Sequence, residues 1–107
     1  PAARVEPRVS AVEAVDAITD ARCNHELKCG NIAANEDFQS RDHCLQVMRA
    51  DANDELGDDS DCRNGVAQRD LQECLSEISN NDCGGVSGVI DSADTYMSCG
   101  SNSLCMD

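Results

Sequence analysis

Eight cysteines, spread singly through 107 residues, are the feature that most constrains how this chain folds. They are Cys23, Cys29, Cys44, Cys62, Cys74, Cys83, Cys99 and Cys105. An even number of dispersed cysteines in a short chain is typical of a disulfide framework. The chain has one Phe, one Tyr and no Trp, so the aromatic side chains that usually dominate core energetics are nearly missing. We therefore predict four disulfides, each contributing about 2–4 kcal/mol to stability.

This framework also predicts a cellular location. Disulfides persist in oxidising compartments, so we expect an extracytoplasmic protein, whether secreted, periplasmic or at the cell surface. The chain begins at Pro1 without an apolar leader, and we expect any signal peptide to have been removed. No apolar run is long enough to cross a membrane, so we predict no transmembrane segment. The many Arg, Ala, Val and Asp residues beside a single lysine favour a bacterial source.

The charge balance excludes one class of partner. The formal net charge is −13, from 21 acidic and 8 basic residues. A chain of this charge is repelled by phosphate backbones and by anionic lipid head groups, so we expect no nucleic-acid partner. We expect instead an unidentified protein or cell-surface partner, with a basic surface as one option.

The apolar periodicity predicts an all-α fold. Residues 1–8 hold both prolines and are expected to form a flexible lead, which leaves 9–107 as one disulfide-rich helical domain. Apolar residues recur at steps of three and four in four later segments. The predicted helices cover about 9–29, 40–56, 66–79 and 86–98. The first should contact two neighbours, because its apolar residues lie on two sides, one with Ala14, Val15 and Ile18 and the other with Val12, Cys23 and Leu27. The buried stripe of the second should be Leu45, Met48, Ala52 and Leu56. Ser40 is a good N-cap for the second, and Gly30 is well placed to end the first. No segment alternates at period two, so the prediction is a compact bundle of about four short helices.

Helical geometry excludes some disulfide pairings. Cys23 and Cys29 are six residues apart on one predicted helix, so they point about 240° apart and cannot bridge each other. Cys62 and Cys74 stand at opposite ends of a helical stretch and are too far apart to pair. Among the many pairings left open, we favour Cys29–Cys44, which would close the end of the first helix onto the second.

The stretch CNHELKC, residues 23–29, resembles a zinc-protease signature with one residue changed. In H-E-x-x-H, two histidines one helical turn apart bind zinc and the glutamate activates a water. Here Cys29 would replace the second histidine, beside His25 and Glu26, and His43 would be the candidate third ligand. A secreted phospholipase helix is a related alternative, but the glycine-rich calcium loop that precedes such a helix is missing. Using Cys29 as a ligand leaves seven cysteines, so we favour a disulfide and predict no catalytic residue and no enzyme.

An acidic run over residues 51–61 is a candidate calcium site. Its oxygen-bearing side chains are Asp51, Asn53, Asp54, Glu55, Asp58, Asp59 and Asp61. Calcium takes six to eight oxygen ligands from loops of this kind, although the EF-hand spacing is missing here. Carboxylates at a helix C-terminus oppose the helix dipole, which favours a cation or a basic partner nearby. A solvated helix end is the alternative that we favour.

A pattern of cysteines and apolar residues gives the chain a family resemblance over roughly Cys23 to Cys105, which is firmest over Cys62 to Cys105. Cys62, Gly65-Val66, Leu71-x-x-Cys74-Leu75 and Cys83, followed by the terminal Cys99 and Leu104-Cys105, carry the resemblance. The pattern is similar to an uncharacterised family of small extracytoplasmic cysteine-rich proteins of myxobacteria, many of them lipoprotein-like. The resemblance implies a compartment and a disulfide framework, and no activity. This chain departs from the family in lacking an N-terminal lipid-carrying cysteine, so the resemblance does not support lipidation here.

These observations predict a non-enzymatic, secreted or cell-surface acidic helical module with a protein-binding or structural role. No cofactor is expected under this hypothesis. The alternative is a protein that binds a divalent cation, calcium, through residues 51–61.

Overall fold

The first helix, α1 (Ala11–Lys28), begins where the sequence supplies a cap. The computed structural model describes residues 7–57, 62, 64–81, 83 and 97–106. The Ser10 hydroxyl accepts a hydrogen bond from the Glu13 N–H at 3.1 Å, which satisfies one of the unpaired donors of the first turn. The predicted start at Val9 is two residues too early, because Arg8 and Val9 are extended and form strand β1 (Arg8–Val9).

Helix α1 packs against its neighbours along most of its length. Ala14, Val15 and Ile18 are buried on the predicted apolar face, and α1 contacts both of the other long helices, as predicted. The predicted second side is divided: Cys23 is buried, whereas Val12 and Leu27 are exposed. No helix in the described ranges is both long and apolar enough to span a membrane.

Helix α2 (Arg41–Ala52) continues into a π-helical turn, Asn53–Gly57. Ser40 caps it as predicted, since its hydroxyl accepts the His43 N–H at 3.1 Å. Met48, Ala52 and Leu56 recur at four-residue steps and are all buried, so the predicted buried stripe is confirmed over these residues. The helix and its π-helical turn together match the predicted extent to Leu56.

A two-stranded antiparallel sheet joins the start of the chain to its middle. Strand β1 pairs with β2 (Val66–Ala67), with Arg8 opposite Ala67 and Val9 opposite Val66. The Gln68 N–H also donates to the Pro7 carbonyl at 2.9 Å. The last two residues of the predicted lead, Pro7 and Arg8, are therefore held by backbone bonds, while residues 1–6 lie outside the described part.

Helix α3 (Gln68–Asn80) follows β2 directly. The predicted start at residue 66 is two residues too early, because the backbones of Val66 and Ala67 pair with β1 instead of entering the helix. Leu71, Cys74 and Ile78 are buried, as their spacing predicts. The helix thus presents one continuous apolar side to α1.

The C-terminal part consists of a 3-10 turn, Met97–Cys99, and a single helical turn, α4 (Ser101–Leu104). The predicted fourth helix, about 86–98, lies almost entirely outside the described residues. Met97 and Ser98, its last two positions, are in the 3-10 turn. The prediction of a compact, mostly helical fold with four disulfides is confirmed, with the small sheet as an addition.

All eight cysteines are paired. The bonds are Cys23–Cys44, Cys29–Cys83, Cys62–Cys105 and Cys74–Cys99. The two pairings excluded by geometry are indeed not formed. The favoured Cys29–Cys44 bond is wrong, because Cys23 is the α1 cysteine that faces Cys44 on α2, and Cys29 lies at the helix end, where Cys83 reaches it.

The buried residues form two clusters. The larger core gathers side chains of α1, the π-helical turn, β2, α3 and the C-terminal turns, and it includes three cysteines, Cys62, Cys74 and Cys99. The smaller core is built on Cys23, Phe38, Cys44 and Met48. The first half of α1 therefore contributes to one core, and Cys23 further along the helix contributes to the other.

Candidate functional site

Helix α1 ends in a turn that needs a left-handed backbone conformation, which glycine adopts easily. Gly30 has φ +77°, its N–H donates to the Leu27 carbonyl at 3.1 Å, and the Asn31 N–H donates to the Glu26 carbonyl at 2.9 Å. This pair of bonds is the Schellman motif, with glycine in the left-handed position. The predicted helix stop is confirmed, and the turn fixes Cys29 as the C-cap of α1.

His25 lies one helical turn before Cys29 and is almost fully buried, at 7% exposure. Its Nε2 is 2.8 Å from the Asn81 carbonyl oxygen. A carbonyl can only accept, so Nε2 carries the hydrogen, and in the neutral ring Nδ1 is the unprotonated nitrogen. The residue that follows α3 thus sets the tautomer of a histidine on α1.

The His25 ring also touches a disulfide. The Cys29 Sγ lies 3.7 Å from Nε2 and 4.0 Å from Nδ1 of His25, and Cys29 is bonded to Cys83. One ligand-type atom from each of His25, Cys29 and Cys83 lies within 4.8 Å of the others. In the described part of the chain, this is the one group of three residues with metal-ligand chemistry in such proximity.

The structure separates the other residues of the zinc-protease hypothesis from this cluster. The Glu26 Oε2 accepts a hydrogen bond from the Asn31 amide at 2.6 Å, so this carboxylate supports the turn that ends α1. The Nδ1 of His43 accepts the Gln39 N–H at 3.1 Å, and its ring lies edge-on to Phe38 at 5.7 Å. His43 is therefore not the third member of the cluster; Cys83 is.

A groove runs between α1 and α3 beside His25. Its volume is about 380 Å³, and we call it the α1–α3 groove. It is lined by Ala17, Asp20, Ala21, Asn24, His25 and Lys28 on α1 and by Leu75 and Ser79 on α3. Its lining combines apolar side chains with one carboxylate, that of Asp20, and one ammonium group, that of Lys28. His25 thus lines the groove and also contacts the disulfide.

The acidic run is not gathered into one site over its described residues. The Asp51 Oδ2 is 2.8 Å from Nη1 of the buried Arg22, which directs it toward α1. The Glu55 Oε2 accepts the Ser101 N–H at 2.8 Å, which caps the C-terminal helical turn. Asn53 and Asp54 are exposed, whereas Asp58, Asp59 and Asp61 lie outside the described residues.

The sequence did not predict that Asn81 and Cys83 lie beside His25 and Cys29. Asn81 and Cys83 lie 56 and 54 residues from their partners His25 and Cys29, and no local pattern connects positions so far apart. The spacing of His25 and Cys29, at i and i+4 on a helix, does indicate that these two side chains meet.

Comparison with known sequences assigns the chain to a family. The family described as "Family of unknown function (DUF6184)" matches residues 23–107, which include all eight cysteines. No curated protein and no solved structure matches the chain. The chain belongs to the DUF6184 family, and the match begins at Cys23, within α1.

Proposed function

We propose that this member of the DUF6184 family is a non-enzymatic, extracytoplasmic helical module that binds a basic protein surface. The family has no known function, so the proposal rests on the chain itself. The proposed setting is the bacterial cell surface or the secreted fraction, as in the lipoprotein-like myxobacterial proteins that the sequence resembles.

The observation that carries the proposal is an excess of negative charge at the surface. The net charge is −13, and the exposed carboxylates of the described residues include Asp20, Glu36, Asp37 and Glu73. A surface of one sign attracts partners of the opposite sign and accelerates their association.

The chain's own basic residues cancel only part of this field, because eight of them face 21 acidic residues. Arg22 pairs with Asp51, Arg49 with Asp16 and Arg69 with Asp70. The guanidinium of Arg8 donates to the Asn64 carbonyl at 3.1 Å, and that of Arg41 donates to the Asn24 side chain at 2.9 Å. The three ion pairs neutralise three of the 21 carboxylates, so most of the negative charge remains to attract a basic partner.

The disulfides support both the location and the role. Four cross-links in a chain of this size are consistent with an extracytoplasmic location. They hold the long helices to one another and to the C-terminal turns. A surface held in one conformation loses little conformational freedom when it binds, which favours affinity.

The environments of the two histidines support a role without catalysis. His25 is bonded to a backbone carbonyl and lies against a disulfide sulfur, and His43 accepts a backbone N–H beside Phe38. Each ring thus makes contacts that hold the fold in place.

Calcium binding through residues 51–61 is the alternative, and we give it less weight. Asp51 and Glu55, two of its seven candidate ligands, already bind Arg22 and the Ser101 N–H. A calcium ion would have to compete with both contacts. The melting temperature of the free module in millimolar calcium separates the two candidates, since only a calcium site raises it.

The binding proposal is tested with the folded module immobilised and offered to a bacterial surface-protein fraction. We expect capture of a protein with a basic surface that, once purified, binds directly. Its affinity should fall at least tenfold between about 50 and 300 mM salt, because screening weakens exposed charge pairs. It should fall similarly when Asp20, Glu36, Asp37 and Glu73 are changed together to Asn or Gln.

The matched control is Leu27→Ala, which removes an exposed apolar side chain and leaves the charge unchanged. This variant should bind within about threefold of the wild type. Binding that ignores both salt and the four neutralised carboxylates would overturn the proposal, as would the recovery of no partner for a module that runs as a bare monomer.

A further inference from the structure

The Cys29–Cys83 disulfide differs from the other three in its surroundings. Cys83 is the one exposed cysteine of the eight, all of which lie among the described residues. The Cys23–Cys44 and Cys74–Cys99 bonds are buried at both ends, and Cys62–Cys105 is buried at one end. Thiol–disulfide exchange requires a thiolate to reach a sulfur, so access favours attack at Cys29–Cys83.

This disulfide also has an imidazole beside it. The Cys29 Sγ is 4.0 Å from Nδ1 and 3.7 Å from Nε2 of His25. Zinc bonds of about 2.3 Å to sulfur and about 2.0–2.1 Å to nitrogen place tetrahedral S and N ligands about 3.6 Å apart. The 4.0 Å between the Cys29 Sγ and the His25 Nδ1 is therefore close to the span of a zinc site, and Cys83 lies within the same 4.8 Å cluster because the disulfide joins it to Cys29.

The orientation of the His25 ring fits a ligand. Its Nε2–H is held by the Asn81 carbonyl, which leaves Nδ1 unprotonated. Zinc-binding histidines commonly donate their second ring N–H to a backbone carbonyl or carboxylate, which fixes the ring and raises its basicity. The position at the C-terminus of α1 also favours a cation, because the helix dipole is negative there.

We propose that His25, Cys29 and Cys83 form a thiol-gated zinc site, closed while the disulfide is intact and open when it is reduced. Two thiolates and one imidazole are ligands that zinc prefers, and three protein ligands leave a fourth position for water or another ligand. This proposal is independent of the partner-binding role. The partner binds the oxidised module, whereas the zinc site is open only when the disulfide is reduced.

The gating step needs a dithiol reductant. One of its thiolates attacks a sulfur of the pair, the Cys29–Cys83 bond breaks, and the mixed disulfide is resolved by the second thiol. Two electrons and two protons pass to the cysteines, and the reductant becomes a disulfide. Zinc then replaces the two thiol protons, which leave to solvent, and bridges Cys29 to Cys83 in place of the covalent bond.

The first test asks which disulfide opens. The folded, oxidised protein is treated with limiting dithiothreitol without denaturant, and the freed thiols are alkylated and located by mass spectrometry. We expect Cys29 and Cys83 to be labelled first. Opening of any other pair before this one would overturn the proposal.

The second test asks whether the opened site binds metal. After removal of the dithiol under nitrogen, cobalt(II) is added as a spectroscopic substitute for zinc. We expect one equivalent to bind, with a thiolate-to-cobalt charge-transfer band that zinc abolishes. The fully oxidised protein should show no such band. A reduced protein without the band would also overturn the proposal.

A pair of variants isolates the histidine. His25→Gln keeps an amide that can donate to Asn81 but lacks the imidazole, and it should bind zinc at least 10- to 100-fold more weakly, as other losses around zinc sites do. His43→Gln is the matched control and should bind like the wild type. The melting temperatures of both oxidised variants show that they fold. Equal zinc affinity of His25→Gln and wild type would exclude His25 as a ligand.

Discussion

Two disulfides join helix α1 to the rest of the molecule, and they lie in opposite environments. Cys23–Cys44 is inside the smaller core, with both cysteines at 0% exposure, against Phe38 and Met48. Cys29–Cys83 lies one and a half turns further along the helix, with Cys83 exposed and His25 alongside. Helix α1 thus carries one disulfide that is part of a core and another whose second cysteine is exposed.

Loop length and burial rank these two bonds in opposite orders. Cys23–Cys44 closes 21 residues and Cys29–Cys83 closes 54. Chain entropy alone assigns about 3.3 kcal/mol to the shorter loop and about 4.2 kcal/mol to the longer. Burial adds only to the first, because its sulfurs fill space inside a core.

The largest expected effect follows from removing the buried bond. Cys23→Ala/Cys44→Ala should lower the free energy of unfolding by about 5 kcal/mol, from loop closure plus about 1 kcal/mol for each buried sulfur. Cys29→Ala/Cys83→Ala should lower it by about 4 kcal/mol, since little burial is lost. Denaturant unfolding of both double variants measures the difference.

The relative stability of the two double variants shows whether loop closure or burial has the larger effect. If Cys29→Ala/Cys83→Ala is the less stable of the two, loop closure outweighs burial, and the smaller core contributes less than its contacts indicate.

The second effect concerns Phe38, the one phenylalanine of the chain. It is 6% exposed in the smaller core. Phe38→Ala should cost about 3 kcal/mol through lost transfer energy and the remaining cavity. Thermal or denaturant melting measures it. Phe38→Leu should cost less than about 1.5 kcal/mol, because it keeps most of the volume.

Leu27→Ala is the control for Phe38→Ala at the exposed end of α1, because Leu27 is 54% exposed. A surface substitution of this kind should change stability by less than about 0.5 kcal/mol. Equal losses from Phe38→Ala and Leu27→Ala would show that the smaller core does not stabilise the fold.

The features of the fold that the sequence predicted correctly are local ones. The Ser40 cap, the Gly30 stop and the buried stripe at Met48, Ala52 and Leu56 are local, and they were predicted because each depends on residues a few positions apart. The two-residue strand at Val66–Ala67 was not, since it is too short to show a period and depends on pairing with Arg8–Val9.

Long-range partners account for the errors at the candidate site. Cys23 and Cys29 were expected to point apart, and they do, but only the packing of α1 against α2 decides which of them meets Cys44. The contacts of His25 with Asn81 and of Cys29 with Cys83 connect segments more than 50 residues apart. Helical periodicity carries no information about such pairs.

The smallest expected effect tests how strongly the stability of the C-terminal end of α1 depends on the turn at Gly30. Gly30 has φ +77° with no atom within 4 Å of where a Cβ would lie, so Gly30→Ala meets only the backbone penalty of the left-handed region. That penalty is about 1–2 kcal/mol, so we expect a loss of about 1 kcal/mol. Gly30→Asn should lose less, because asparagine tolerates this conformation.

The effect of Gly30→Ala should be local to the turn, so it should change the reduction rate of one disulfide and not of the other. A loss of about 1 kcal/mol at the helix end corresponds to about a fivefold larger open population, so limiting dithiothreitol should reduce Cys29–Cys83 about fivefold faster. The rate for Cys23–Cys44 should not change. If both rates rise together, the helix segment from Cys23 to Cys29 unfolds as one unit. The C-terminal end of α1 then does not open by itself, and its opening could not gate a metal site.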